Sequence, residues 1–452
     1  MPYRAYEDRG VPRARLKPEQ WEVFPLKRWV CLNREVLPET TAWDHEFRYI
    51  DIGSVGTGAL RREPEPMRFG AAPSRARRVV RNGDTIVSTV RTYLTAVYFV
   101  ERQADDLICS TGCAVLTPRA GTDPKFVSYV CQSRMFTDRI TAESVGIAYP
   151  AIGETRLGSL HVAVPPLAEQ TAIVRFLDNA ERGIRRCVRA KRKLVKLLEE
   201  QKQAIIQRVV TRGLDANVRL KPSGVEWLGD VPEHWEVRRL KTLCWMKSGE
   251  SIAATSIEAT GKFAVYGGNG IRGYTSKYTS DGNYVLVGRQ GALCGNVHEA
   301  RGRFWASEHA VVVKPRVGHD WLWLASLLRA MKLNQYSIAA AQPGLAVERI
   351  LNLAVPAPPK EEQVRIAAHL ESATAGLATS IARYRRGIDL LREFRTRLIS
   401  DVVTGKLDVR DAAAVLPEEG EEIEFADEVE PESEDSEADT TEAEPAQEET
   451  DA

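Results

Sequence analysis

Long apolar runs are absent. No stretch approaches the roughly 20 residues that a bilayer-spanning helix needs. The N-terminus, Met1-Pro-Tyr-Arg-Ala-Tyr-Glu-Asp8, has no apolar core of the kind a secretory signal carries. A membrane role is therefore not expected, and the chain reads as cytoplasmic. Cysteine is scarce and odd in number, 7 in 452 residues without framework spacing, which argues against a disulfide scaffold and fits a reducing compartment.

Signatures of catalysis are missing too. There is no Walker lysine motif, no nucleophile elbow, no Asn-Pro-Pro-aromatic motif of an adenine methyltransferase and no nuclease constellation. Cys109 and Cys113 lie close in sequence, but no second Cys or His pair completes a zinc site of usual spacing. Gly268-Asn-Gly270-Ile-Arg-Gly273 has the spacing of a dinucleotide fingerprint, which needs a strand before it and a helix after it. Here Tyr274-Thr-Ser-Lys-Tyr278 follows, a turn and strand composition. The chain reads as a binder that is not an enzyme, with no metal and no bound cofactor of its own.

Net charge is also missing, since 62 basic residues balance 62 acidic ones. That balance conceals two unlike parts. From Pro417 onward there are about 18 Asp and Glu and no Lys or Arg, leaving about 44 acidic residues and a net of about +18 on the remainder. A body this basic points to a polyanionic partner, most simply nucleic acid. The acidic tail, poor in apolar residues and rich in Pro, Ser and Thr, is expected to be disordered. It reads either as a solubility tail or as a cover for a basic DNA channel.

What is present is a repeat. Pro165-Pro166-Leu-Ala-Glu169-Gln170 recurs as Pro358-Pro359-Lys-Glu-Glu362-Gln363, and the match runs ungapped to Leu214-Asp215 and Leu407-Asp408, with about 18 of 51 positions identical. A repeat of this length describes architecture. Ile173, Leu177, Ala180, Ile184, Cys187, Leu194, Leu198 and Ile205 follow alternating four- and three-residue steps. So do Ile366, Leu370, Ala373, Leu377, Tyr384, Leu391, Phe394 and Leu398. Both patterns predict a coiled-coil seam of about five heptads. Each Pro-Pro marks a helix start. The core of this seam is expected at Ile173, Leu177, Ile184, Leu198, Ile366, Leu370, Leu377 and Leu391, with the two copies packed antiparallel about a pseudo-twofold axis. Two separate amphipathic helices, each docked on its own body, are the plainer alternative.

A shorter repeat opens each body. Lys17-Pro-Glu-Gln-Trp21-Glu-Val23 resembles Pro232-Glu-His-Trp235-Glu-Val237. The predicted order is an N-terminal arm (1–16), a first recognition body (17–164), the first repeat helix (165–211), a linker (212–234), a second recognition body (235–357), the second repeat helix (358–410) and a disordered acidic tail (411–452). Runs such as Asp84 to Val90, Leu94 to Val100, Cys113 to Thr117, Tyr284 to Val287 and Ala310 to Val313 read as strands. Short helices follow near Lys125–Phe136 and Trp321–Met331. The fold class is therefore α+β, two mixed α/β bodies alternating with two long helices.

The bodies carry residues suited to reading DNA. Arg75, Arg77, Arg78 and Arg81 make the first body locally basic, and Arg91 and Tyr93 sit at a strand end where a side chain can enter a groove. In the second, Lys262, Tyr266, Asn269, Arg272, Tyr274 and Lys277 interleave cations, amides and aromatics, and Arg289-Gln290 follows a strand. Arginine can pair bidentately with guanine and Asn or Gln with adenine, while lysines more often hold phosphate. Any one of these residues taken alone is more simply a solvated surface group.

The order of these parts resembles the specificity subunit of type I restriction-modification systems. Carrying the resemblance are the two variable bodies between similar helices, the Pro-Pro-x-x-Glu-Gln helix starts, and Gly224-Val-Glu-Trp227-Leu-Gly-Asp-Val-Pro232-Glu-His-Trp235-Glu-Val237. Arg81-Asn-Gly-Asp84-Thr-Ile-Val-Ser88-Thr-Val-Arg91 and Tyr266-Gly-Gly-Asn269-Gly-Ile-Arg-Gly273-Tyr274 look like segments of its target-recognition domains. It spans about residues 17 to 410, and its specificity lies in order and duplication.

The resemblance implies that each body reads one half of a split double-stranded DNA site. It implies that the coiled coil sets the unread spacer, that two methyltransferase subunits dock on the helices, and that a restriction/translocase subunit joins for cleavage. S-adenosylmethionine, and ATP with Mg for restriction, would be held by those partners. A non-catalytic coiled-coil scaffold binding protein or RNA remains the competing reading, and an enzyme fused to a coiled coil is a third.

Overall fold

The computed structural model describes residues 3, 6–8, 16–101, 106–291, 293–337 and 344–417. The chain divides into two compact units, Met1–Val188 with Asp389–Ala452, and Arg189–Ile388. Each unit therefore holds one body and a part of each long helix, so the linear boundaries expected from the sequence cross the units. The tail beyond 417 lies outside the described residues. Residues 410–414, where the sequence marks the end of the second repeat helix and the start of the tail, instead form a short helix.

In chain order the first body comprises β1 (Tyr6–Asp8), β2 (Leu16–Pro18), β3 (Glu22–Pro25), α1 (Leu26–Trp29), β4 (Val30–Leu32), β5 (Glu46–Ile50), β6 (Glu65–Arg68), β7 (Ala76–Val80), β8 (Thr85–Ser88), β9 (Val97–Phe99), β10 (Leu107–Ser110), β11 (Cys113–Pro118), α2 (Pro124–Gln132), α3 (Arg134–Glu143), α4 (Glu154–Ser159) and β12 (His161–Val164). The helix α5 (Leu167–Arg212) follows. One sheet has the order β6-β5-β10-β7 and the other β4-β11-β8-β9, with β12 beside β3 and β1 beside β2. Among the described strands of this body, β5 and β10 are the parallel pair.

The second body comprises β13 (Leu220–Pro222), β14 (Asp230–Pro232), β15 (Glu236–Arg239), β16 (Cys244–Ser248), β17 (Phe263–Gly267), β18 (Gly270–Thr275), β19 (Ser280–Asp281), β20 (Tyr284–Gly288), β21 (Val297–Ala300), β22 (Arg303–Ala306), β23 (Ala310–Pro315), α6 (Trp321–Ala330), α7 (Val347–Leu351) and β24 (Ala354–Ala357). Then come α8 (Lys360–Val403) and α9 (Arg410–Ala414). Its sheets have the orders β18-β17-β22-β19 and β16-β23-β20-β21, with β15 beside β24 and β13 beside β14. Among the described residues this is, strand for strand, the topology of the first body, including the parallel pair, here β17 with β22. Two bodies that share little sequence thus share one fold. The segment expected as a bare linker carries the β13–β14 hairpin, the counterpart of β1–β2. The glycine-rich 268–273 stretch is the β17–β18 hairpin.

The shared motifs hold each body to its helix. Pro165-Pro166 and Pro358-Pro359 start the helices, and the Pro166 and Pro359 carbonyls accept the first backbone bonds from Glu169 and Gln170 and from Glu362 and Gln363. Trp21 and Trp235 are wholly buried. Each donates its indole N–H, at 2.9 Å, to the motif glutamate, Glu169 or Glu362. The buried Gln170 and Gln363 accept the backbone N–H of Asp123 and Asp320, both at 2.9 Å, and those aspartates cap α2 and α6. Burying each tryptophan contributes about 3 kcal/mol, and the charge-assisted bond adds about 2 kcal/mol.

The helix seams depart from a heptad. In α5 the buried and half-buried face passes through Ile173, Leu177, Glu181, Ile184, Val188, Lys191, Val195, Leu198, Lys202, Ile206 and Val209. In α8 it passes through the equivalent positions, Ile366, Leu370, Thr374, Leu377, Ile381, Tyr384, Ile388, Leu391, Arg395, Ile399 and Val402. Ten steps cover 36 residues in each, a period of 3.6, which does not impose the left-handed supercoil of a strict heptad. Slippage against the 3.5 period leaves Cys187, Leu194, Ala373 and Phe394 exposed, where the heptad reading had them inside. The eight residues expected as the core of the seam, Ile173, Leu177, Ile184, Leu198, Ile366, Leu370, Leu377 and Leu391, lie on the buried side.

Within the first unit, Ile173 and Leu177 share a core with Ile399, Val402 and Val403, and Arg395 meets Glu181 at 2.6 Å. Within the second, Ile206 and Val210 share a core with Ile366 and Leu370, while Lys191 lies over the Tyr384 ring at 5.4 Å. In each unit the two helical segments pair in opposite directions.

Candidate nucleic-acid interface

The identical topology brings three loops to one edge of each body. They leave the ends of the two parallel strands and of β8, or of β20. In the first body these are the loops at 51–53, 111–112 and 89–95. The Thr89 N–H and hydroxyl both donate to the Gly112 carbonyl at 2.9 Å, and the Thr111 N–H donates to the Arg75 carbonyl at 2.8 Å. In the second body the Arg289 N–H donates to the His309 carbonyl at 2.8 Å, the counterpart of the Thr89 bond. A Cβ on Gly268 would meet the Gln290 and His309 carbonyls at 3.3 and 3.4 Å, and one on Gly288 would meet the Gly268 carbonyl at 2.2 Å. Glycine there allows the loops to converge.

A fourth segment completes each edge. Val90 bridges to Ala151 and Gln290 to Gly344. The Ile152 N–H donates to the Thr89 carbonyl and the Leu345 N–H to the Arg289 carbonyl, both at 2.9 Å. By this register Thr89-Val90-Arg91 occupies the places of Arg289-Gln290-Gly291. The third position is left-handed in both, with φ 53° at Arg91 and 87° at Gly291. Glycine adopts that conformation freely, whereas an L side chain there costs about 1–2 kcal/mol.

The residues singled out in the sequence fall into two groups. Arg75, Arg91 and Tyr93 lie at this edge of the first body, and Arg91 and Tyr93 are exposed. Asn269, Arg289 and Gln290 lie at the equivalent edge of the second, and the stem of Arg272 is near them, where a Cβ on Gly267 would meet it at 3.7 Å. The Asn269 side-chain carbonyl accepts from Asn296 at 3.0 Å, and Gln290 meets His309 Nδ1 at 3.2 Å. Neither Asn296 nor His309 carries a local sequence signal, because only the nonlocal strand pairing brings them here.

The remaining candidates lie elsewhere. Arg77 stacks on Phe69 at 4.6 Å, and Arg78, on the other face of β7, lies 3.8 Å from Glu154. Arg81 is at the far end of β7, paired with Glu35 at 2.9 Å. The basic run in sequence is therefore dispersed by strand geometry. Lys262, Tyr274 and Lys277 gather at the opposite end of the β17–β18 hairpin, where Lys262 lies over Phe263 at 5.3 Å. Tyr266 packs edge-on against Phe304 at 5.5 Å, and burial pushes its hydroxyl above the ordinary range.

Among the described residues no group of three or more His, Cys, Asp and Glu is arranged to hold a metal ion, and no helix is long and apolar enough to cross a membrane. The edges offer guanidinium, amide and aromatic groups on a rigid sheet, an arrangement able to read base edges.

The family model described as the type I restriction modification DNA specificity domain matches residues 18–194 and 232–383, well over half of the chain. The type I restriction enzyme EcoprrI specificity subunit of Escherichia coli is 46% identical over 130 residues, 28% of this chain and 32% of its own. The match thus spans about a third of that relative. The MjaVIII specificity subunit of Methanocaldococcus jannaschii is 21% identical over 310 residues, 60% of this chain and 68% of its own. A solved structure from work on complex assembly and conformational transition of the type I R-M system aligns with a TM-score of 0.62 at 24% identity. It covers 86% of this chain and 99% of that one. At that identity the likeness is one of fold.

Proposed function

The chain belongs to the type I restriction modification DNA specificity family, and from that premise we propose that it is the non-catalytic sequence-reading subunit of a restriction-modification complex. Each body reads one half of a bipartite double-stranded DNA site through its loop edge. The paired long helices, antiparallel about a pseudo-twofold axis, set the unread spacer and dock two methyltransferase subunits. A restriction/translocase subunit joins that assembly in the cytoplasm. S-adenosylmethionine belongs to the methyltransferase partners, and ATP with Mg to the restriction step.

One observation carries this reading. Two bodies of identical topology, each tethered by the same Trp–Glu and Gln bonds to an equivalent helix, present different side chains at equivalent loop positions. A scaffold for one repeated partner would keep those side chains alike, whereas a reader of two unlike half-sites needs them to differ. Basic residues near the edges add phosphate contacts, which make affinity fall with salt.

A body exchange tests the proposal. Residues 17–164 are replaced by the corresponding body of another family member, and methylated sites are mapped in a host that supplies the methyltransferase. The expected outcome is one changed half-site with the other half-site and the spacer retained. Change in both half-sites, or in neither, contradicts the reading.

A further inference from the structure

Resting on that reading, we infer that Arg91 is the specificity-determining residue of the first body, reading a guanine in its half-site, and that Tyr149 is its positioning residue. The observation is a comparison between the two bodies. At the turn after β20, the counterpart of β8, the second body has Gly291 with φ 87°, and a Cβ there would meet nothing within 4 Å. The first body makes the same turn with φ 53° and ψ 50° at Arg91. A fold that accepts glycine at this place carries an arginine in a conformation that favours glycine, and folding alone gives no reason for it.

The side chain is held ready for contact. The Arg91 N–H donates to the Pro150 carbonyl at 2.8 Å, so the turn is fastened to the 145–151 loop. From that loop Tyr149 places its ring under the guanidinium, with Cζ 4.8 Å from the centroid. Among the described residues Arg91 has no carboxylate partner. A cation–π contact restrains the guanidinium without using its N–H donors, which stay able to pair bidentately with guanine O6 and N7. A phosphate contact would need neither the strained backbone nor the aromatic support.

The test maps methylated sites in a host expressing the full chain with its methyltransferase, comparing the parent with Arg91→Gly, Arg91→Lys, Tyr149→Phe and Tyr149→Ala. Arg91→Gly should lose discrimination at one G·C pair of one half-site by roughly 5- to 150-fold, with the other half-site unchanged. Its melting temperature should be equal to or above the parent's, because glycine relieves the strain. Arg91→Lys keeps charge and strain but loses the fork, and should relax the same pair. Tyr149→Phe should match the parent, and Tyr149→Ala should relax that pair in part.

An unchanged motif in both Arg91 variants overturns the inference. So does a loss uniform over all sites, which marks a phosphate contact. A parent that directs no bipartite methylation defeats the proposed function itself, an outcome distinct from either.

Discussion

Glu169 gives the sharpest test of how the shared motif holds a body to its helix. Its carboxylate is buried and accepts the Trp21 indole N–H and the Tyr3 hydroxyl. Glu169→Ala leaves both donors in the core without an acceptor. Each stranded donor costs about 1–3 kcal/mol, so a total near 3 kcal/mol is a modest expectation. Glu169→Gln keeps a side-chain carbonyl that can accept and loses only the charge assistance, about 1 kcal/mol. Amide hydrogen exchange read by mass spectrometry resolves the difference peptide by peptide. Slow amides of β3 and α2 should exchange on the order of 100-fold faster in Glu169→Ala and several-fold faster in Glu169→Gln. If both variants exchange like the parent in those segments, the tether contributes nothing and the reasoning fails.

Three further expectations follow from the geometry. Arg395→Ala removes the guanidinium that meets both Glu181 and Gln132. Glu181 keeps Arg185 at 3.0 Å and the Tyr129 hydroxyl at 3.1 Å, so the first unit should lose about 1–3 kcal/mol, the range for a buried polar group deprived of one partner; a urea midpoint equal to the parent's would show that Arg395 does not hold Glu181 in solution. Burial, then Arg329, lowers His298 below its ordinary value of 6.5. Because its folded-state value is depressed, its contribution to stability is present above about pH 6.5 and lost as pH falls towards the folded value. Unfolding midpoints of the parent should therefore drop over that window, and those of His298→Leu should not. Finally, inserting seven residues at equivalent points of α5 and α8 adds about 10 Å of helix. That should lengthen the unread spacer by about three base pairs while both half-sites stay the same, and altered half-sites in the mapped motif would contradict a modular reader.

Much of the architecture was legible because its signals are local. The Pro-Pro starts, the Glu-Gln pair and the Trp-Glu-Val openings are short strings that recur, and strands such as Thr85–Ser88 and Ala310–Pro315 are compact apolar runs. The helix seams were legible only to within a residue. Periods of 3.5 and 3.6 coincide over two turns and then part, so Val188 rather than Cys187 is inside. The common topology of the bodies was hidden, since it resides in strand pairing between distant segments whose side chains have diverged.

The candidate interface was half legible for the same reason. A run such as Arg75 to Arg81 looks like one basic cluster, yet a strand turns alternate residues to opposite faces and carries the last of them to the far end of the sheet. Tyr149 is not legible as a site residue from the sequence, because its partner Arg91 is 58 positions earlier. Its loop, Gly146-Ile-Ala-Tyr-Pro150, did carry a signal, an aromatic between turn residues. Gln170 and Gln363 read in the sequence as repeat markers, whereas their hold on Asp123 and Asp320, the caps of α2 and α6, depends on nonlocal packing.

The most direct test of the central claim is the methylome of a host carrying this gene with its methyltransferase partner, compared with a deletion of this gene alone. The account predicts loss of a split, adenine-methylated motif on deletion, with the two half-sites read from the parent. An unchanged methylome under confirmed expression of the chain would contradict it.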